Sequence, residues 1–436
     1  MPRWFRRRTS DDDAGAAPSP PAPHRDPAPF TDPERDALAA HGFALFAGRI
    51  VLDAEPPLPP ARLDEIERAC AGPLPTALRE LWSTTAGGRL DYDLDARVGD
   101  HLVALSWNEL FFRGSDGYRD LDGWMAHELE LAEDAAREHG TEPVTRLDAL
   151  PIGGFEYLDR IYVRTAPGPT AGHVDAWVQG LPPGWPHALH GDAVLPLADD
   201  LRSALADLHL THDPLDPERR YGAGSDLLDR LEQARAAGLD PALADRLLAH
   251  YREAVVDWRA LLDEGRLAED TRAARLALRH AVTTDDAALV ARLHEVGVDL
   301  DGPLAGSARA TDVALTHDAG AALAALLDVD AAVAPDLLDG IHGPISPDLV
   351  RRLLALGARP SGQAVTRCIE HGADASAGLL LAALGDRADE AEQHRARTLA
   401  DLERTVAEVR SGRAGHYLTI DELETRIERL RGAARS

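Results

Sequence analysis

Two histidines and a carboxylate that could bind a metal ion lie close together in the sequence, as His187, His190 and Asp192. Imidazole and carboxylate groups are ligands that suit Zn²⁺. The segment that carries them is rich in proline and glycine and has no helical periodicity to fix the spacing of the three side chains. A surface loop is the better-supported interpretation, and it also covers His209 and His212. We therefore predict no metal site and no cofactor.

Three aspartates, Asp91, Asp93 and Asp95, alternate with apolar residues. Their spacing imitates the start of a calcium-binding loop, but Ala96 and Leu102 occupy the positions where that loop requires glycine and glutamate. Alternation with a period of two instead predicts a half-buried strand with its carboxylates in water. A row of charges of this kind suits contact with a basic protein, so the three aspartates are our candidate partner-binding residues.

The composition excludes several functions. The 436 residues include 74 acidic and 46 basic side chains, the formal net charge is -28, and the sequence contains no lysine. Nucleotide hydrolysis by a P-loop is excluded because that loop needs a lysine. An acidic chain also repels the phosphate backbone of nucleic acids. Cys70 and Cys368 lie far apart in the sequence without neighbouring soft ligands, which argues against a disulfide framework and a structural zinc site.

The sequence has neither a membrane span nor a secretory signal. No stretch approaches the roughly 20 consecutive apolar residues that cross a bilayer. The arginine-rich first nine residues are followed by acidic residues 11–13 rather than by an apolar segment. We therefore predict a cytoplasmic protein without membrane contact. Residues 1–30 are rich in proline, alanine and aspartate, a composition typical of a disordered leader.

Residues 60–210 have the pattern of an α+β domain. Two short amphipathic helices follow one another, and a Gly pair at 87–88 ends the second. The runs Leu158–Arg164 and Val174–Gln179 flank a turn-rich segment and predict a hairpin. A long helix is expected over 116–139, and a closing helix should place the leucines between 197 and 208 on one stripe. Helices at both ends with strands between them predict an antiparallel sheet with flanking helices.

This region resembles the SUKH superfamily of Smi/Knr-like domains. The shared features are an acidic first helix, a Leu-Pro step, an aromatic residue in the second helix, a Gly pair, and a later proline-containing turn before a strand. Here they correspond to the motif residues Leu74, Pro75, Trp82, Gly87, Gly88, Gly153 and Gly154. The resemblance implies a binding module, often an immunity protein that neutralises a co-encoded toxin, and it brings no catalytic residues.

Residues 270–386 resemble degenerate ankyrin repeats. Segments similar to the ankyrin ending Leu-Leu-x-x-Gly-Ala-Asp recur, with helix caps expected at Gly297, Asp330, Gly357 and Gly385. The intervals between these caps are 33, 27 and 28 residues, against 33 in ankyrin repeats. Glycine at these positions favours the left-handed conformation that ends a helix. The Thr-Pro-Leu-His sequence of the family is absent, and an unrelated stack of helical hairpins is the alternative.

The segments around the repeats complete the predicted organisation. Residues 211–224 have the composition of a linker, and residues 225–268 form a helical connector. Residues 387–436 predict a helical hairpin that caps the array. A coiled-coil dimer is the alternative, but the segment contains few heptads, so a monomer is expected.

Three functions are consistent with these patterns. The first is an immunity-type protein that binds and neutralises a basic toxin domain. The second is a regulatory scaffold whose two halves bind different partners. The third and least supported is an enzyme with a metal site in the His187 loop. We predict a non-enzymatic protein-binding module.

Overall fold

The computed structural model describes residues 30–115, 117–180, 185, 187–216, 223–413, 415–416 and 418–433. The chain divides into an N-terminal unit of residues 25–257 and a C-terminal unit that begins at Trp258. Apart from Phe30, the predicted leader lies outside the described residues.

The N-terminal unit is a mixed α/β structure. Its helices are α1 (Asp32–Ala39), α2 (Pro60–Ala69), α3 (Thr76–Thr84), α4 (Leu121–His139), α5 (Leu201–Ala206), α6 (Ser225–Ala236) and α7 (Pro241–Arg252). Its strands are β1 (Phe43–Phe46), β2 (Arg49–Leu52), β3 (Gly88–Arg89), β4 (Leu94–Val98), β5 (His101–Leu105), β6 (Glu109–Leu110), β7 (Ala149–Phe155), β8 (Asp159–Arg164), β9 (Val174–Val178), β10 (His187–Leu189) and β11 (Asp192–Ala198).

Within the described residues, nine strands form one antiparallel sheet in the order β1-β2-β3-β6-β7-β8-β9-β11-β10. The predicted hairpin is present, because β8 and β9 pair antiparallel with Ile161 opposite Ala176. Strands β4 and β5 form a separate two-stranded ribbon. The long helix begins at Leu121, later than expected, and Leu197 lies on β11 rather than on the closing helix α5.

The main hydrophobic core joins one face of the sheet to helices along the whole unit. Trp82 on α3 is 1% exposed and lies in this core, as its place on the apolar stripe predicts. Phe43 of β1 and Ile50 of β2 belong to the same core, as do Leu231 of α6 and Tyr251 of α7. The predicted boundaries at 60 and 210 are therefore too narrow. Residues 225–257, assigned to the helical connector, belong to this unit because buried side chains such as Leu231 and Tyr251 complete its core.

The motif glycines lie where backbones approach closely. At Gly153, a Cβ atom would lie 2.3 Å from the Glu109 carbonyl oxygen, and at Gly87 it would lie 2.6 Å from the Phe112 ring. Gly88 and Gly154 also have φ values of +148° and +147°, which L-residues rarely adopt. Leu74 is buried and Pro75 is the N-cap of α3. Gly153 and Gly154 thus allow β7 to lie close to β6 and β8, and Gly88 allows β3 to lie close to β2.

The C-terminal unit is helical. Its helices are α8 (Trp258–Asp263), α9 (Thr271–Thr283), α10 (Ala287–Glu295), α11 (Ala310–Thr316), α12 (Gly320–Asp328), α13 (Pro347–Ala355), α14 (Gly362–Glu370), α15 (Asp374–Leu384), α16 (Ala388–Arg410) and α17 (Ile420–Gly432).

The helices α9 to α15 stack in two rows. In one row α9 contacts α11, α11 contacts a 3₁₀ turn over Leu337–Gly340, and this turn contacts α14. In the other row α10, α12, α13 and α15 contact one another in that order. The four cap positions all have positive φ, +83° at Gly297, +59° at Asp330, +99° at Gly357 and +57° at Gly385. Helices α16 and α17 pack against each other and against α14.

None of the helices in the described part of the chain is long and apolar enough to cross a membrane.

Candidate functional site

The acidic row at 91–95 is tied to other segments of the N-terminal unit. The Asp91 carboxylate accepts a hydrogen bond from the Leu227 amide at 3.0 Å, in the first turn of α6. The Asp93 carboxylate accepts from the amide and the hydroxyl of Thr211, both at 2.9 Å. The Asp95 carboxylate lies 3.7 Å from His209 Nε2.

These contacts correct the expectation of a row of carboxylates in water. The apolar residues of the segment are buried as predicted, but the three aspartates are half-buried. Burial raises the pKa of Asp91 above its usual range, although hydrogen bonds from the backbone at 224–227 oppose that shift. The segment from 90 to 93 forms no regular strand. Its backbone hydrogen bonds go to Asn108 and, in an isolated bridge, to His209.

Of the predicted ligands, the structure describes the side chains of His190 and Asp192, which have separate partners. The His187 side chain lies outside the described residues. His190 turns inward, with Nε2 at 3.5 Å from Glu128 Oε2, and Asp192 accepts a hydrogen bond from Trp177 Nε1 at 3.1 Å. Among the residues the structure describes, no group of three or more His, Cys, Asp or Glu side chains could hold a metal ion.

The two cysteines are buried and unpaired, Cys70 in the N-terminal unit and Cys368 in the C-terminal unit. Burial raises the pKa of the Cys70 thiol to about 11 and that of Cys368 to about 12. Both thiols are therefore protonated at neutral pH, and the thiolate that a cysteine nucleophile needs is scarcely populated.

A cluster centred on Arg160 lies between the sheet and α4. Arg160 is 5% exposed, and its guanidinium carbon lies 4.1 Å from the ring centroid of Trp177 and 5.1 Å from that of Trp124. Its Nε lies 3.7 Å from Glu128 Oε1, and the Tyr162 hydroxyl donates to the same oxygen at 2.9 Å. The cluster thus combines a buried ion pair with two cation–π contacts.

Local geometry explains how these side chains meet. Arg160 and Tyr162 are two residues apart on β8 and share one face of the sheet. Trp177 is the direct cross-strand partner of Arg160 on β9. Trp124 and Glu128 are four residues apart on α4 and lie on one side of that helix. Both spacings are visible in the sequence, but the pairing of β8 with β9 and the placement of α4 are needed to recognise the cluster.

Burial sets the electrostatics of the cluster. It raises the pKa of Glu128, against the opposing effect of Arg160, and raises the pKa of Tyr162 well above its usual value. It lowers the pKa of His190, so that this imidazole is neutral at neutral pH. Arg160 Nε and His190 Nε2 have no hydrogen-bond partner among the described residues. Ring stacking and charge, rather than a complete set of hydrogen bonds, therefore hold the cluster together.

An exposed surface adjoins this cluster, and we call it the α4 surface. It consists of the β7–β8 turn residues Tyr157 and Leu158, which are 68% and 45% exposed, and the outward side of α4. The Tyr157 ring lies 5.5 Å from the ring of the buried Trp124. The acidic residues Glu130, Glu133, Asp134 and Glu138 are exposed along α4. Arg137 pairs with Glu133 and Asp134, whereas Glu130 and Glu138 make no ion pair with a described residue.

Comparison of the chain with protein-family models, with curated proteins and with solved structures returned no match.

Proposed function

We propose that this chain is a non-enzymatic protein-binding module of the immunity type, which binds and neutralises a basic toxin domain. In this proposal the N-terminal unit is a SUKH-like domain and the C-terminal unit an ankyrin-like array. The protein acts in the cytoplasm as a monomer and binds a protein rather than a cofactor, nucleic acid or membrane. The motif residues from Leu74 to Gly154 and the recurrence of caps from Gly297 to Gly385 support this proposal.

The α4 surface carries the functional part of the proposal. Tyr157 is an exposed aromatic residue supported from below by Trp124, which is the kind of rigid anchor that dominates many interfaces. The carboxylates of Glu130 and Glu138 are exposed further along α4, and neither makes an ion pair with a residue that the structure describes. An exposed aromatic side chain next to an acidic helix complements a basic protein, because exposed carboxylates raise the rate of encounter and an aromatic anchor slows dissociation.

The net charge of -28 supports the same partner chemistry. The aspartates at 91, 93 and 95 contribute less than their sequence indicates, since their carboxylates are engaged within the unit. The exposed carboxylates of α4, rather than these aspartates, therefore attract the basic partner in this proposal.

A regulatory scaffold is the second candidate. The observation that favours it is the division of the chain into two compact units. Each unit would then bind its own partner, and removal of one binding surface would leave the other active.

The test uses the full chain and the toxin domain encoded by a neighbouring gene. We expect co-production of this chain to restore growth of cells that make the toxin domain, and the two proteins to elute as one complex. Replacing Tyr157 and Leu158 together by alanine should weaken the complex by about tenfold or more, as for a hot spot.

The matched control is Leu215→Ala, because Leu215 is 50% exposed in the same unit. The control should bind as the unmodified chain does. Equal loss in both variants would refute the α4 surface as the binding site. Failure of the unmodified chain to bind or protect would refute the immunity function and leave the scaffold as the candidate to test.

A further inference from the structure

The first eight residues combine aromatic and basic side chains in a strongly acidic chain. Trp4 and Phe5 stand between Arg3 and a run of three arginines at 6–8, and the sequence contains no other run of three basic residues. Residues 1–29 lie outside the part of the chain that the structure describes. Guanidinium groups pair with carboxylates and stack on aromatic rings, so this segment suits a surface that is both acidic and aromatic.

The α4 surface has this chemistry. From residue 130 to the end of α4, one exposed guanidinium, that of Arg137, stands against four exposed carboxylates, those of Glu130, Glu133, Asp134 and Glu138. Glu156 adds an exposed carboxylate directly before Tyr157 in the β7–β8 turn. The surface therefore carries an excess of negative charge.

Three of these carboxylates are available to a cation from elsewhere. Glu130, Glu138 and Glu156 make no ion pair with a residue that the structure describes. Glu130 acts electrostatically on His127, but burial lowers the pKa of that imidazole, so it is neutral at neutral pH. Glu156 acts on the Tyr118 phenol, whose pKa is raised mainly by burial, so this group is neutral as well.

Tyr157 supplies the aromatic part of the surface. Of the large apolar side chains that are exposed in the described part of the chain, Tyr157 is the aromatic one. Its ring is 68% exposed and lies 5.5 Å from the ring of the buried Trp124. A rigid, supported ring of this kind favours stacking with arginine and packing with other aromatic side chains.

The first residues of the chain can reach this surface. Phe30 fixes the described end of the leader on the N-terminal unit, where its ring centroid lies 5.1 Å from the Arg246 guanidinium carbon and 5.8 Å from that of His250. A fully extended chain spans about 3.3 Å per residue, so residues 9–29 reach at most about 70 Å. A compact unit of the size of residues 25–257 has a radius of gyration of about 17 Å. The connection is therefore long enough.

We propose that the segment of residues 3–8 binds the α4 surface of its own chain. Its arginines contact the three available carboxylates, and its two aromatic rings pack beside Tyr157. A tether of this length gives an effective concentration of about 1 mM, so a weak contact suffices. Aspartates at 11–13 offset part of the charge of the arginines and keep the contact weak. The segment is thus an internal competitor that a tighter basic partner displaces.

The test measures this contact in the full chain without any partner. A nitroxide spin label is attached at Ser10→Cys, because the native Cys70 and Cys368 are buried and their thiols protonated. We expect the label to remove about half or more of the backbone NMR intensity of α4 and the β7–β8 turn at low salt. High salt should restore these signals. An even effect over the unit, or a selective effect on another surface, would overturn the proposal.

Two variants of the labelled chain separate a specific contact from general attraction. Glu130→Gln/Glu138→Gln should reduce the intensity loss several-fold, whereas the charge-matched control Asp36→Asn/Glu232→Gln, which neutralises two exposed carboxylates on α1 and α6, should retain it. Equal reductions in both would overturn the proposal.

The leader variant Arg6→Gln/Arg7→Gln/Arg8→Gln should abolish the intensity loss while every residue that the structure describes stays unchanged. Persistence of the loss in this variant would show that the arginines do not hold the segment on α4, and would overturn the proposal.

This inference rests on the α4 surface of the proposed function but not on a toxin. Removal of residues 1–8 should tighten binding of the toxin domain about twofold or more, because the competitor is gone. Failure of the chain to bind the toxin domain would leave the spin-label result intact, whereas absence of the spin-label contact would leave the immunity function intact. Unchanged affinity in a truncated chain that does bind would show that the segment does not compete for this surface.

Discussion

Arg160 on β8 and Trp177 on β9 are direct cross-strand partners, and the guanidinium carbon of Arg160 lies 4.1 Å from the centre of the Trp177 ring. The ring centroid of Trp124 on α4 lies 5.1 Å from the same guanidinium carbon. One cation therefore links the sheet to the helix whose outer side forms the α4 surface. The stability of that surface depends on a charge that is itself almost fully buried.

Replacing Arg160 by methionine should lower the free energy of unfolding of the N-terminal unit by about 3–5 kcal/mol, because it leaves the buried Glu128 carboxylate without its cation. Urea unfolding followed by tryptophan fluorescence measures this change. The double variant Arg160→Met/Glu128→Gln should lose much less than the sum of the single variants, because no unpaired charge remains. Additive losses would contradict the ion-pair explanation.

The C-terminal unit should become less stable as the pH falls from about 6.5 to about 4. Burial, assisted by the nearby Arg426, Arg367, His342 and Arg429, lowers the pKa of His371 from 6.5 to about 4. In this window the unfolded chain binds a proton that the folded chain does not, so stability falls with falling pH. Hydrogen exchange in α14 and α15 at pH 7 and pH 5, corrected for intrinsic rates, measures the effect.

The variant His371→Gln should weaken this pH dependence, because glutamine does not titrate. His294→Gln is the control, since His294 is an exposed residue of α10. An unchanged pH dependence in His371→Gln would show that another group is responsible.

The aspartate at 91 should behave as a structural acceptor rather than as a surface charge. Asp91→Ala should destabilise the N-terminal unit by about 1–3 kcal/mol, because the Leu227 amide loses its acceptor. Asp91→Asn keeps an acceptor and should cost much less. Chemical denaturation distinguishes the two, with the exposed Asp229→Ala on α6 as control. Equal damage from Asn and Ala would mean that the charge itself is required.

Association with a basic partner should depend on the carboxylates of α4. The variant Glu130→Gln/Glu138→Gln should slow association several-fold at low salt and leave dissociation nearly unchanged. The charge-matched control, Asp36→Asn/Glu232→Gln, neutralises two exposed carboxylates on α1 and α6. Stopped-flow mixing at two salt concentrations measures both. The difference should vanish at physiological salt, where the screening length is about 8 Å.

The aspartates at 91, 93 and 95 provide the contrasting case. If replacing all three by asparagine slows association more than the α4 variant does, the steering charge lies in that segment and our assignment to α4 is wrong.

Gly154→Ala should destabilise the N-terminal unit more than Gly168→Ala. Both glycines have φ near +148°, so both substitutions incur about 1–3 kcal/mol of backbone strain. At Gly154 the new Cβ atom would also lie 1.9 Å from the Asp159 carbonyl oxygen, whereas Gly168 has open space. Thermal unfolding of the two variants compares them, and equal losses would show that the close approach relaxes at little cost.

Local patterns in the sequence predict the elements well where one face is buried. The helices at 60–69 and 76–84 and the hairpin of β8 and β9 follow from periodicity and from their Pro and Gly boundaries. The positive φ angles at Gly297, Asp330 and Gly357 agree with the recurrence of Gly and Asp, whereas Gly385 combines a positive φ with a ψ of -121° and is not a left-handed cap. Periodicity also places the apolar residues between 90 and 94 in the core.

The partners of polar residues could not be predicted in this way. The alternation of apolar and acidic residues predicts that Asp91 and Asp93 point away from their apolar neighbours. It does not predict that α6, more than 130 residues later in the chain, contacts Asp91. The sequence around Arg160 likewise predicts only a residue of a strand. Its contacts with Trp177 and Trp124 become known only from the positions of β9 and α4. Contacts between distant segments decide whether such a charge faces water or the interior.

The order of the sheet ends on β10, which has three residues and, among the described strands, pairs with β11 alone. The chain just before it contains Pro182, Pro183 and Pro186, none of which has a backbone N–H. The three residues of β10 offer a neighbouring molecule only a short row of donors and acceptors, and short edge strands disfavour pairing with another chain. At this edge the sheet therefore leaves a second chain little backbone with which to extend it by strand pairing.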